Sequence, residues 1–121
     1  MAIKRYYATK DNTITNAFKS SLNTRGVSGN MGQSDILEVF SIYGQASSSV
    51  DGLSSELSRV LIEFNVDEIN SDRIAGNIPA SGSVNFFLKM YDAEHTQTTP
   101  KDYTLVVQAI SQSWNEGLGL D

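Results

Sequence analysis

The stretch "LSRVLIEFNVDEI", residues 57–69, decides the fold class of this chain. Its apolar and polar residues alternate, and the sequence then becomes acidic and polar after Val66. A period of two places the apolar side chains on one face of a β-strand. That face holds Val60, Ile62, Phe64 and Val66. We therefore predict a half-buried strand over residues 58–66, of the kind that antiparallel sheets contain.

Two more segments alternate as cleanly, "SVNFFLKMY" (83–91) and "DYTLVVQAI" (102–110). Their apolar sides hold Val84, Phe86, Leu88 and Met90 in the first, and Tyr103, Leu105, Val107 and Ala109 in the second. Weaker patterns predict further strands at 35–44, 3–9 and 13–18. Strands with short turns and long loops predict an all-β protein, an antiparallel jelly-roll β-sandwich, as one domain over residues 1–121.

The connecting segments are polar and rich in glycine and serine. Residues 23–34 carry three glycines, and residues 44–56 carry a run of serines that is too polar to bury much apolar surface. Residues 67–73 are compatible with a short helical turn, which Pro79 and the nearby glycines would end.

Composition excludes several classes of protein. The chain has 121 residues, 40% of them hydrophobic and 19% charged, as in a globular domain. Its net charge of −5 argues against a nucleic-acid partner, because binding to phosphates needs a basic surface. The chain has no cysteine, no apolar signal segment at its N-terminus and no apolar stretch of membrane-spanning length. We therefore expect synthesis in a cytoplasm, and no membrane partner.

Residues with catalytic or metal-binding potential are few. The one histidine, His95, follows Asp92 and Glu94, but an extended chain would place His95 on the side opposite both carboxylates. An exposed polar loop is the favoured interpretation. The motif G-x-S-x-G is absent, and the glycines of 26–32 lack the phosphate-binding spacing. We predict that the chain is not an enzyme and holds no cofactor.

Two short motifs offer candidate ligands for calcium. "NSD" (70–72) and "KDN" (10–12) supply hard oxygen atoms of the kind that calcium binds at loop crossings of sandwich domains. The same residue types are ordinary turn formers, because their side chains bond to nearby backbone. The turn interpretation is favoured over a metal site.

Three aromatic residues are candidates for a binding surface. Phe87 and Tyr91 lie on the side of segment 83–91 opposite Val84, and Trp114 follows segment 102–110. Exposed aromatic rings meet another protein subunit or stack on a sugar ring. A protein interface is favoured for Phe87 and Tyr91, and a structural plug at the end of a sandwich for Trp114.

Residues dispersed over most of the chain resemble the DNRLRE domain family. The resemblance is carried by the blocks "SRVLIEFNVDEI", "GSVNFFLKMYDAEHTQ" and "YTLVVQAISQSWNEGLGLD". The positions that match the family pattern are Arg59, Phe64, Ile69, Tyr91, Trp114 and Glu116. Asn65 stands where the family usually has aspartate. Asn30 and Gly32 are similar to the family's Asn-Gly loop, although Met31 separates them.

This resemblance implies a jelly-roll β-sandwich like those of carbohydrate-binding modules. The serine-rich loop, the asparagine-rich turns and "NEGLGLD" look most like virion structural proteins of tailed phages, particularly marine and cyanobacterial ones. The implied function is a multicopy structural protein of a virion, in head decoration or cement, neck, tail or fibre, with other virion proteins and copies of itself as partners. The alternative is an adhesion module that recognises host-surface glycans.

One departure from the family concerns the C-terminal region. The family's naming motif is absent, and the further strands that follow W-x-E in the family have no counterpart before Asp121. Three explanations stay open. The chain is the N-terminal part of a longer protein, another subunit supplies the missing strands, or the fold is a short version with an open sheet edge.

Overall fold

The computed structural model describes residues 3–19, 24–27, 29–42, 56–80, 82–96, 98 and 101–120. The chain divides into two units. One comprises residues 1–84 with 116–121, and the other comprises residues 85–115. The first contains every strand and helix of the described residues.

A three-stranded antiparallel sheet forms the centre of the first unit. Its strands are β1 (Ala8–Thr15), β2 (Ser41–Ile42) and β3 (Glu56–Phe64), in the order β1-β3-β2. The predicted strand over 58–66 is therefore the central strand, although it begins and ends two residues earlier. Its even-numbered side is the more buried one, as the alternation predicts, but the buried residues on that side are Glu56 and Ser58.

A short helix, α1 (Val66–Ile74), follows β3 directly. Asn65 caps it, since the Asn65 side chain accepts a hydrogen bond from the Asp67 backbone N–H at 3.1 Å. Asp67 and Glu68 in the first turn and Arg73 in the last complement the helix dipole. The helix predicted near 67–73 is confirmed. Val66, which the alternation places on the buried strand face, is instead an exposed first residue of α1.

The sequence predicted two separate N-terminal strands, at 3–9 and 13–18, and this separation is wrong. One strand, β1, runs across the polar residues between them. Pairing with β3 offsets the poor strand propensity of "KDN", since Lys10 lies opposite Glu63 in the register. The Lys10 Nζ also lies 3.0 Å from a Glu63 carboxylate oxygen. A register shift between Ala8 and Lys10 marks an irregularity at the start of the strand.

The strands predicted at 83–91 and 102–110 are absent from the described residues of those segments. The predicted strand at 35–44 is reduced to Ser41–Ile42, with residues 43–44 outside the described part. Residues 44–55 of the serine-rich loop also lie outside it. Alternation determines which side of a strand would be apolar, but a strand also needs a neighbour for its backbone hydrogen bonds. The chain thus has an antiparallel sheet and a short helix.

The interior of the described residues is polar. Their buried side chains, all polar or charged, are Asn12, Thr13, Glu56, Ser58 and Asp72. No apolar side chain of the described ranges is fully buried. Hydrogen bonds to these polar groups consequently take a large part in holding the first unit together. No helix within the part of the chain that the structure describes has the length and apolarity needed to cross a bilayer.

Candidate functional site

Asn12, at 3% exposure, is the centre of a polar cluster beside β1. Its Nδ2 donates a hydrogen bond of 2.6 Å to the backbone oxygen of Glu116. Its Oδ1 accepts a hydrogen bond of 3.2 Å from the Met31 backbone N–H. One buried amide therefore joins three parts of the chain that lie far apart in sequence.

Asn30 completes this cluster. Its Nδ2 donates to the same Glu116 backbone oxygen at 3.1 Å. Its Oδ1 accepts from the Gly119 N–H at 2.7 Å and the Gly32 N–H at 3.1 Å. We call Asn12, Asn30 and Glu116 the asparagine clamp.

The Glu116 carboxylate gives the clamp a third connection. Its Oε1 accepts a hydrogen bond of 2.8 Å from the Asp11 backbone N–H in β1. The Gln33 N–H also bonds to the Gly119 oxygen at 3.0 Å. Both side-chain amides and the Glu116 carboxylate therefore form hydrogen bonds to backbone groups. The role of the clamp is structural.

Glycines at the clamp allow the close approach of the backbones. A Cβ added to Gly32 would overlap the backbone oxygen of Glu116 and lie 2.6 Å from that of Gly117. Gly117 has a φ of +77°, and a Cβ there would lie 2.7 Å from Cγ of Asn30. The resemblance singled out Asn30, Gly32 and Glu116, and the structure brings these three residues together.

A second cluster surrounds Asp72 in α1. The Asp72 Oδ2 accepts from the Tyr6 hydroxyl at 2.8 Å and lies 3.0 Å from Lys4 Nζ, while Oδ1 accepts from Asn77 Nδ2 at 2.9 Å. The bonds from Asn77, Tyr6 and Lys4 lower the pKa of Asp72 to about 2. Burial and the bond to Asp72 raise the pKa of Tyr6 to about 12. This cluster fastens the N-terminal segment to the helix.

The structure places both candidate calcium motifs inside regular elements instead of the loop crossings that the sequence suggested. "NSD" lies in α1, where the Asp72 carboxylate is engaged by Tyr6, Lys4 and Asn77. "KDN" lies in β1, where Asn12 belongs to the clamp. Within the described ranges, no group of three acidic or histidine side chains is arranged to hold a metal ion.

His95 lies in an exposed stretch outside any strand or helix, as predicted. Its Nε2 lies 3.8 Å from the Asp92 carboxylate. The expectation that the chain holds these two side chains on opposite sides is wrong, because the 3.8 Å distance brings them together.

The three candidate aromatic residues differ in exposure. Phe87 and Tyr91 are 87% and 82% exposed, whereas Trp114 is partly buried. Lys89, two residues from each of the first pair, places its Nζ 5.0 Å from the centre of the Tyr91 ring. Phe87 and Tyr91 are therefore accessible to a partner.

The apolar residues around Phe87 and Tyr91 are also exposed. We call residues 85–91 and 103–110, both in the second unit, the two apolar segments. Their exposed large side chains are Phe86, Phe87, Leu88, Met90, Tyr91, Tyr103, Leu105, Val106, Val107 and Ile110. Such a concentration of exposed apolar side chains is typical of a surface that meets another protein.

The first unit has a surface groove of about 220 Å³ lined by Ile14, Thr15, Asn16, Leu57 and Arg59. Sites for small molecules usually measure about 300–1,000 Å³ and enclose most of the ligand. The two apolar segments are therefore the stronger candidate for a functional surface.

Sequence reasoning identified some of these residues and missed others. Phe87 and Tyr91 were found from the alternation, and Asn30 and Glu116 from the family resemblance. Asn12 and Asp72 were noted only as turn formers or calcium ligands, and the roles of Lys4 and Tyr6 were missed. Nothing in the local sequence connects Tyr6 to Asp72, which lies 66 residues further along the chain.

The comparisons with known proteins add no relative to this picture. No protein-family model, no curated protein and no solved structure matches the chain.

Proposed function

We propose that the chain is a structural protein of a tailed-phage virion, which acts by protein–protein contacts in a multicopy assembly. Its place would be in head decoration or cement, the neck, the tail or a fibre. In this proposal the three-stranded sheet belongs to a jelly-roll β-sandwich that is completed within the assembly. The virion setting comes from the family resemblance, and the mode of action from the two apolar segments.

The exposure of the two apolar segments is the observation that carries the assembly role. Large apolar side chains gain roughly 1.5–3 kcal/mol each when they are transferred from water into a packed environment. Aromatic residues and methionine, represented here by Phe86, Met90 and Tyr103, are enriched in protein interfaces, whereas charged residues are depleted. Among the residues of the two segments, only Lys89 is charged.

Mass spectrometry of purified virions tests the proposal. The particles would be separated by density gradient, and the peptides of this chain compared with those of the major capsid protein and of an abundant host protein. We expect the chain to co-purify with the capsid protein at a fixed ratio. The proposal would be contradicted if the chain were absent from the particle, or if its peptides were lost during purification in parallel with those of the host protein.

A glycan-binding module is the second candidate function. Exposure of Phe87 and Tyr91 beside Lys89 favours it, because a flat aromatic ring next to a polar group offers stacking and hydrogen bonding to a sugar. A glycan array probed with the chain, followed by titration of any ligand found, tests this function. Tyr91→Ala is expected to weaken binding about tenfold.

Tyr7→Ala is the matched control, since Tyr7 is an equally exposed tyrosine outside the second unit. It should leave glycan affinity unchanged. An array without a ligand, or equal losses in both variants, would rule out a glycan site at Tyr91.

A further inference from the structure

We propose that the asparagine clamp is a recognition site for a Glu-Gly-x-Gly segment, and that copies of this chain exchange this segment in an assembly. Residues 116–119, Glu-Gly-Leu-Gly, fill the clamp of their own chain. In the exchanged form, the same residues of one copy fill the clamp of another. The exchange rests on the proposed assembly function and names its partner and its surface, whereas the recognition site stands on the contacts within one chain.

The receiving side of the clamp is oriented by bonds of its own. The Asn12 side chain is buried, and its Oδ1 accepts from the Met31 N–H at 3.2 Å. The Asn30 Oδ1 accepts from the Gly32 N–H at 3.1 Å. Both bonds lie outside residues 116–119, so they orient the Nδ2 groups of the two asparagines whether or not the segment is bound. A site whose donors are already oriented loses little conformational freedom when it is filled.

Both ends of the segment are recognised by hydrogen bonds. At the first end, the Glu116 carboxylate accepts from the Asp11 N–H at 2.8 Å, and the backbone oxygen of the same residue accepts from both clamp asparagines. At the other end, the Gly119 N–H donates to Asn30 Oδ1 at 2.7 Å, and the Gly119 oxygen accepts from the Gln33 N–H at 3.0 Å. These partners all belong to the first unit, so the bonds do not depend on how the second unit leads to the segment.

Steric contacts restrict the sequence that fits the clamp. A Cβ added to Gly117 would lie 2.7 Å from Asn30 Cγ, and the φ of +77° at Gly117 also disfavours any side chain there. A Cβ added to Gly119 would lie 2.6 Å from the backbone oxygen of Asn30. Leu118, between the two glycines, is 81% exposed, so its side chain contributes little to recognition. The clamp therefore selects a carboxylate and two glycines, with one free position between the glycines.

Exchange between copies retains these contacts, because the partner presents the same residues. Residues 85–115 connect the segment to the rest of the first unit, and their described part contains no strand or helix. A connection of about 30 residues without regular structure holds its end at a local concentration of roughly millimolar or less. Neighbouring copies in a multicopy assembly reach similar concentrations, so the segment of a neighbour competes with the chain's own segment.

Binding of a free peptide tests the recognition site. The 121-residue Gly117→Ala chain keeps the clamp but carries a segment that does not fit it. The probe is a capped peptide of residues 115–120, and the readout is the NMR signals of the side-chain amides of the two clamp asparagines. We expect saturable shifts of these signals toward their wild-type positions. The same peptide with Gly119→Ala should bind at least tenfold more weakly, and with Leu118→Ala within about twofold of the original peptide.

Mixing two variants of the chain tests the exchange. In Gly32→Ala, the added Cβ overlaps backbone oxygens of Glu116 and Gly117, which blocks the clamp and leaves the segment available. Unlabelled Gly32→Ala, added to isotope-labelled Gly117→Ala, should restore the wild-type signals of the two clamp asparagines in the labelled chain. The double variant Gly32→Ala/Gly117→Ala is the matched control, because its segment does not fit a clamp. Its addition should leave these signals unchanged.

Amide exchange in β3 shows whether each variant is folded. Gly119→Ala replaces Gly117→Ala if that chain is not folded, and Asn30→Ala replaces Gly32→Ala in the same way. A peptide that leaves the signals unchanged, or a Gly119→Ala peptide that binds as tightly as the original, would overturn the recognition site. A peptide that binds while the Gly32→Ala chain does not would overturn the exchange alone. A chain that exchanges its segment but is absent from virions would overturn the virion role alone.

Discussion

The side chain of Asn12 and the backbone oxygen of Glu116 are joined by a 2.6 Å hydrogen bond across 104 positions of the sequence. The same oxygen also accepts from Asn30. Residues 116–119 are thereby fixed beside β1 by polar contacts, in a unit whose buried side chains, within the described ranges, are all polar. The stability of this unit should accordingly depend on its amides to an unusual degree.

Asn12→Ala should destabilise the first unit by about 2–3 kcal/mol. The substitution leaves the Met31 N–H without its buried partner, which costs roughly 1–3 kcal/mol, and removes one of the two hydrogen bonds to the Glu116 oxygen, which still accepts from Asn30. Urea unfolding followed by far-ultraviolet circular dichroism measures the free energy. Asn70→Ala, on an exposed asparagine of α1, is the control and should change it by less than about 0.5 kcal/mol. Equal effects of the two variants would show that the clamp adds no stability.

Gly117→Ala should cost more than Gly76→Ala, although both glycines have nearly the same positive φ, +77° and +76°. A Cβ at Gly76 meets nothing within 4 Å, so only the backbone penalty of about 1 kcal/mol applies there. A Cβ at Gly117 would displace the Asn30 side chain and disrupt the clamp, which should raise the cost to about 3 kcal/mol. Thermal or urea unfolding of the two variants provides the measurement, and costs within error of each other would contradict the role of Asn30.

Gly32→Ala tests the same crowding without a positive φ. Its Cβ would overlap backbone oxygens of Glu116 and Gly117, which cannot rotate away as a side chain can. We expect residues 116–119 to detach and their amides to exchange at least tenfold faster with solvent. Gly26→Ala is the control, since its Cβ would meet only the Ala17 oxygen at an ordinary 3.5 Å. Unchanged exchange at 116–119 in Gly32→Ala would contradict the close approach.

The sequence predicted local features better than pairings. The alternation of residues 58–66 indicated a strand with one side more buried than the other, and β3 is such a strand. This feature could be predicted because the alternation depends on the residues of one strand alone. The segments 83–91 and 102–110 have the same pattern, yet the structure forms no strand over their described residues. Whether these segments form strands depends on the segment with which each one pairs, in the same chain or in another. The pattern of one segment does not encode that partner.

The polar interior was the hardest part to predict. Asn12 and Asp72 belong to residue types that normally lie in turns, and sequence reasoning assigned them there. Their burial depends on partners that lie far away along the chain, such as Glu116 for Asn12 and Tyr6 for Asp72. Asn30 and Glu116 could be singled out only because they match a family pattern, and their contact with each other became visible in the structure.

Stability should fall in acid because of Asp72. The pKa of Asp72 is about 2 in the folded chain and has an ordinary value of 3.8. A lowered pKa means that the ionised carboxylate stabilises the fold above about pH 4, and that this stabilisation is lost as the pH falls toward about 2. The Asp72→Asn variant should be less stable than the wild type near neutral pH, and its stability should fall less steeply as the pH is lowered. Urea midpoints across this range measure both effects.

Asp67→Asn is the control for the acid prediction, because Asp67 is an exposed carboxylate in the same helix. The stability of Asp67→Asn should fall with decreasing pH as steeply as that of the wild type. An Asp72→Asn variant with the full wild-type slope would show that other carboxylates cause the acid loss.

Stability should also fall in alkali because of Tyr6. Its pKa is raised from 10.0 to about 12, so the folded chain holds the phenolic proton more tightly than the unfolded chain. The stabilisation is complete below about pH 10 and is lost as the pH rises toward 12. Tyr6→Phe should remove this alkaline loss, whereas Tyr7→Phe, an exposed neighbour, should retain it. Urea midpoints between these pH values, compared for the two variants, decide the matter.

Ser58→Ala should release β2 from β3 while leaving the β1–β3 pairing in place. The Ser58 hydroxyl accepts from the Phe40 N–H at 2.7 Å and donates to the Glu38 oxygen at 2.8 Å. Since β2 has only two residues, these bonds supply much of its attachment. Losing them should cost about 1–3 kcal/mol, concentrated in residues 38–42.

Amide exchange resolved by residue measures this release. In Ser58→Ala, the amides of Phe40 and Ile42 should exchange at least tenfold faster, while those of Leu61 and Ile62 in β3 change little. Ser58→Thr retains the hydroxyl and should restore protection, and Ser71→Ala, on an exposed serine of α1, should leave every rate unchanged. Equal acceleration in β2 and along the β1–β3 ladder would instead mean that the sheet unfolds as one unit, and that the Ser58 hydroxyl stabilises all three strands together.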